Sequence, residues 1–89
     1  MTVENWKLVD DCQHAQFYYK RRGDLDMIAC VVIPHNGNGH KWLLRIGFSS
    51  TFDKWGNVEY ENKFDSLDEL KAFMGNEDSL KTIKKSNIM

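Results

Sequence analysis

The chain has few cysteines, almost no net charge, and no apolar run approaching the ~20 residues a bilayer-spanning helix requires. Each scarcity excludes something. Two cysteines, Cys12 and Cys30, are too few for a disulfide scaffold, and nothing in MTVENWKLVDD sets a basic stretch before an apolar one. The expectation is therefore a cytoplasmic chain with two reduced thiols and no membrane association. A formal charge of −1 argues against a chain built mainly to neutralise nucleic-acid phosphates.

What is present belongs to a folded protein. Over 89 residues, 42% hydrophobic, 12% aromatic and 28% charged, the composition suits a single domain spanning 1–89, near the size at which one core suffices without staples. The charge is uneven. Residues 53–78 hold three Lys/Arg against eight Asp/Glu, whereas residues 79–89 hold three Lys and no acid. No internal repeat or low-complexity segment interrupts the pattern.

Periodicity predicts strands within residues 4–64 and helix after them. NWKLVD places Trp6 and Leu8 on one side; in QHAQFYYKR, Ala15, Phe17 and Tyr19 alternate with His14, Gln16 and Tyr18. Gly23 in RRGDLD suits a hairpin turn needing positive φ. MIACVVI is apolar at every position; its β-branched residues favour a strand, and apolarity on both faces makes it central. KWLLRIGF sets Trp42, Leu44, Ile46 and Phe48 against Lys41, Arg45 and Gly47, and VEYENKF sets Val58, Tyr60 and Phe64 against Glu59, Glu61 and Lys63.

The period then changes. In FDSLDELKAFMG, Asp65 or Ser66 can cap a helix over 67–74, Asp68 and Glu69 sit in its first turn, and Gly75 ends it. Leu67, Leu70, Phe73 and Met74 form a stripe that must bury itself against the sheet. A second short helix is expected at 79–85, presenting Leu80, Ile83 and Lys84, with a frayed end at 86–89. The fold class is α+β: an antiparallel meander of four to five strands with one face covered by one or two C-terminal helices.

Residues 33–42, IPHNGNGHKW, look at first like a site. As a phosphate cradle the stretch lacks G-x-G-x-x-G spacing and a following helix. As a metal site it offers His35 and His40, with Cys12 and His14 more distant, short of the tight ligand pairs structural zinc uses. Pro34 and the repeated Asn-Gly explain it as a connection between strands, with Gly37 or Gly39 at positive φ. Ser49, Ser50 and Thr51 lie in no nucleophile motif. The expectation is no catalytic residue, no metal and no cofactor.

Two binding readings remain. FYYKRR sets Tyr18 and Tyr19 beside Lys20, Arg21 and Arg22, a combination with which single-strand binders stack bases and track phosphates, and Lys41, Trp42 and Arg45 could extend it. Against it, Asp24 and Asp26 occupy the same hairpin, and Arg22-Gly23-Asp24 is explained by the turn. The favoured reading is a protein interface. SSTFDKWGN offers Phe52, Asp53 and Trp55, of which Trp55 fits a core position equally well, and carboxylates continue through Glu59, Glu61, Asp65, Asp68 and Glu69, so that aromatic anchors would carry a charged rim.

A short chain running from a β-meander into a helix through KFDSLDELKAFM resembles the small inhibitors encoded by phages and mobile elements, anti-CRISPR proteins among them. The step that carries the likeness is Phe64, Asp65, Ser66, Asp68, Glu69, Leu70 and Phe73. The resemblance implies a non-enzymatic chain in the host cytoplasm that occupies a surface of a larger, nucleic-acid-binding complex. It assigns no functional residue and leaves oligomeric state open.

Overall fold

The computed structural model describes residues 5–23, 25–49 and 58–83. Five antiparallel strands lie side by side in chain order, β1 (Lys7–Asp11), β2 (Ala15–Arg22), β3 (Leu25–Val32), β4 (Trp42–Ser49) and β5 (Val58–Phe64). The helices α1 (Leu67–Gly75) and α2 (Glu77–Leu80) follow. The α+β meander expected from periodicity is therefore observed, with MIACVVI in the central strand. Gly23 turns the β2–β3 hairpin at φ 63°.

Register decides which side chains share a face. Leu8, Tyr18, Ala29, Ile46 and Tyr60 form one row across all five strands, flanked by Met27 with Phe48 and by Val31 with Leu44. This face meets the helices. Leu70, Met74, Leu80 and Ile83 bury themselves on it, and Phe73 stacks on Tyr60 at 4.8 Å between centroids and packs at an angle to Phe64. Trp6 closes the layer beside β1, its indole N–H donating to Met74 O at 2.8 Å.

The β2 alternation runs opposite to the hydrophobic pattern. Ala15, Phe17 and Tyr19, the apolar set, lie on the face away from the helices, while Tyr18 at 1% exposure shares the helix side with Lys20 and Arg22. Two long cationic side chains can occupy that side because their apolar stems cover the core and their charged ends reach polar partners. Lys20 pairs with Glu77 and lies near the Trp6 ring. Leu8, in phase with Trp6 as expected, nevertheless stays 39% exposed on the edge strand.

Local chemistry sets the helix ends. Ser66 caps α1 by accepting from Glu69 N, with Asp68 and Glu69 in the first turn, where the helix dipole favours negative charge. The second helix differs from the expected 79–85. It begins at Glu77 because Asn76 caps it, the Asn76 side chain accepting from Asp78 N and Ser79 N, and it ends at Leu80. Ile83 is buried beyond it; Lys84 and the stretch expected to fray, 86–89, fall outside the described residues.

The 33–41 connection is more elaborate than a tight Asn-Gly turn. A short 3-10 turn, Asn36–Asn38, is followed by Gly39 at φ 70° and His40 at φ 59°. Gly39, and not Gly37, supplies the left-handed step. Asn38, 3% exposed, holds the loop from inside: its Oδ1 accepts from His35 N at 2.9 Å and its Nδ2 donates to Ile33 O at 3.1 Å.

Candidate functional site

The helix-free face carries the arrangement with most to offer a partner. Its rows read Tyr19, Ile28, Gly47 and Val58, then Phe17, Cys30, Arg45 and Glu61, then Ala15, Val32, Leu43 and Lys63. Apolar and aromatic side chains fill the β2 and β3 positions of these rows, and charged ones begin at Arg45 on β4 and continue with Glu61 and Lys63 on β5. Ala15, Ile28 and Val32 are half-buried, and among the described residues no helix lies over them. At one rim Arg45 meets Glu61 at 2.5 Å; at another Arg21 meets Asp26 at 3.3 Å, and Tyr19 donates its hydroxyl to Asp26 at 2.6 Å. The bond to Asp26 holds the Tyr19 proton and raises its pKa; partial burial and the Asp26 charge add to this, and Arg21 opposes it.

The acidic residues singled out in the sequence are partly gathered here. Glu61 stands on the rim of the helix-free face, on β5, an edge strand. Asp65 pairs with Lys41 at 2.8 Å, and Glu69 is close enough to help Asp65 raise the Lys41 pKa. Asp68 and Glu69 project from the first turn of α1, exposed. Glu59 lies on β5 next to Val58 and is half-buried. Phe52, Asp53 and Trp55, the proposed anchors, fall outside the described residues, as does Asp24.

The FYYKRR residues do not form one surface. Tyr18 is beneath the helices, with its pKa raised by burial and then by Asp11. Lys20 is tied to Glu77, yet burial and then the neighbouring Arg22 lower its pKa. Arg22 donates to Leu80 O at 2.7 Å and to Ile83 O at 3.4 Å, and lies 5.9 Å from the Phe48 ring centroid. Phe17, Tyr19 and Arg21 share the opposite face, and Tyr19 and Arg21 both engage Asp26.

No protein-family model, curated protein or solved structure matches the chain. What it can do chemically must be read from its own side chains. Both thiols are free: Cys12 is exposed at the β1–β2 turn, while Cys30 is buried in β3, and burial is the leading cause of the raised pKa of each. Raised pKa values keep thiols protonated and poor as nucleophiles or ligands. Among the described residues no three His, Cys, Asp or Glu side chains converge as a metal site would need, and His35 Nδ1 is engaged by Gly37 N–H at 2.9 Å. No described helix is long and apolar enough to cross a membrane.

No sequence motif marks the helix-free face as a surface. Two signals for it were present: a strand apolar on both sides, and a neighbouring strand whose apolar set alternates out of step with its buried tyrosine. One face can serve the helices; the other needs some further explanation.

Proposed function

We propose that the chain is a non-enzymatic binding module that engages a protein partner through the helix-free face of its sheet and the adjoining acidic edge of β5 and α1. The single observation that carries this reading is the set of three rows across that face, apolar and aromatic on β2 and β3 and charged from Arg45 on β4 outward to Glu61 and Lys63 on β5. Interfaces are commonly built this way, with an apolar centre excluding water and a polar rim setting orientation. Edge strand β5 adds backbone groups at the same margin, through which strand addition is a recurring mode of peptide recognition. The resemblance in type to small mobile-element inhibitors supports a partner that is a surface of a larger nucleic-acid-binding complex. Its basic groove would meet Glu61, Asp68 and Glu69.

Capture from the native host with tagged protein tests the reading. Val32→Lys and Glu61→Lys, both on the proposed face, should abolish capture while circular dichroism stays unchanged; Lys81→Ala on the helix side should not. Duplex DNA added as competitor should release the captured partner. Capture that survives both substitutions, or recovery of no protein at all, defeats the proposal.

A further inference from the structure

The 33–41 connection holds two Asn-Gly pairs in opposite chemical situations. Asn36 is exposed and followed by Gly37, whose backbone N–H already donates to the Nδ1 of His35 at 2.9 Å. The imidazole lies so close to Gly37 that a Cβ there would come within 2.7 Å of it. Asn38 is buried, with its Oδ1 and Nδ2 both bonded. We propose that Asn36 is a site of self-modification, converting to aspartate and isoaspartate with His35 as the resident base, while Asn38 in the same loop is protected.

The chemistry needs only water as co-reactant. Gly37 N attacks Cγ of Asn36 as its proton passes to His35 Nδ1, whose lone pair already accepts that N–H. The tetrahedral intermediate collapses by breaking the Cγ–Nδ2 bond, and ammonia leaves with the proton returned by the imidazolium. The resulting five-membered imide takes up water at either carbonyl, opening to aspartate or to the β-linked isomer. Reaching the attack geometry requires the 3-10 turn to open. Three backbone bonds cross that turn, Asn38 N to His35 O at 3.2 Å, Gly39 N to Asn36 O at 3.3 Å and His40 N to His35 O at 2.8 Å, and the opening breaks them, while the exposed Asn36 side chain needs no further uncovering. At Asn38 the reaction must first break both side-chain bonds and expose a buried amide. The product places a new negative charge at the end of the sheet where Val32 pairs with Leu43, beside the helix-free face.

Peptide mapping by mass spectrometry, resolving aspartate from isoaspartate, tests this on the full chain stored at neutral pH, folded and in urea. In the folded chain Asn36 should convert about tenfold or more faster than Asn38, the factor that a local opening costing about 1.4 kcal/mol imposes. In urea the two rates should converge. His35→Gln, which keeps an acceptor for the Gly37 N–H but is no base, should slow Asn36 severalfold in the folded chain and leave it unchanged in urea. Free imidazole added to His35→Gly should restore part of the rate. Equal folded rates at the two asparagines overturn the selectivity; a folded His35→Gln rate at Asn36 that is unchanged or higher overturns the role of the base.

Discussion

Arg22→Ala separates a structural role for the FYYKRR cations from a ligand-binding one. On a nucleic-acid surface the guanidinium would be dispensable to the fold. In the structure it closes the C-terminal segment onto the sheet, donating to Leu80 O at 2.7 Å, reaching Ile83 O at 3.4 Å and lying 5.9 Å from the Phe48 ring centroid. A hydrogen bond from a charged donor contributes about 1.5–3 kcal/mol, and the longer contact little more. A cation near the outer limit of reach from a ring adds roughly 0.5 kcal/mol. Arg22→Ala should therefore cost about 2–3 kcal/mol, lowering the melting temperature by at least about 8 °C in a domain this small. Urea unfolding followed by tryptophan fluorescence measures it directly. Arg22→Lys, which keeps the charge but not the two-pronged donor, should lose roughly 1 kcal/mol. Arg21→Ala on the opposite face, 57% exposed, paired across the hairpin with Asp26 and donating from Nε to Gly23 O within the turn, should cost less than about 1 kcal/mol. Equal effects of Arg21→Ala and Arg22→Ala would refute the assignment.

Three further outcomes are expected. Phe73→Ala removes the ring stacked on Tyr60 and packed against Phe64, and should destabilise by about 3 kcal/mol in the same unfolding assay, the lower end for a large aromatic because Phe73 is only half-buried. Asn38→Ala leaves His35 N–H and Ile33 O without their side-chain partner and should cost about 2–3 kcal/mol, with faster amide hydrogen exchange confined to 33–41. Tyr19 holds its proton more tightly folded than unfolded, so its contribution is complete below about pH 10 and is lost as pH rises through the folded value. The difference in stability between the native chain and Tyr19→Phe should therefore shrink above about pH 10; a difference constant from about pH 8 to 11 contradicts the Tyr19–Asp26 bond.

The sequence by itself determined the elements and their order. Alternation in KWLLRIGF and VEYENKF, the unbroken apolar run of MIACVVI and the helical stripe from Leu67 to Met74 each follow from short-range periodicity, because side-chain direction is set locally by backbone geometry. Ser66 and Gly23 could be read the same way, since a cap and a turn are decided within a few residues. Tertiary structure alone decided which face of β2 the helices cover. With β3 apolar on both sides, the choice was transmitted from Trp42, Leu44, Ile46 and Phe48 through the pairing of Ile46 with Ala29 and Ala29 with Tyr18, a register no single strand records. That long-range alignment put Lys20 and Arg22 among the helices and the Ala15, Phe17 and Tyr19 set on the other side. It also separated the two Asn-Gly pairs, identical in sequence, by burying one amide and exposing the other, since burial depends on the whole packed molecule and not on neighbours in the chain.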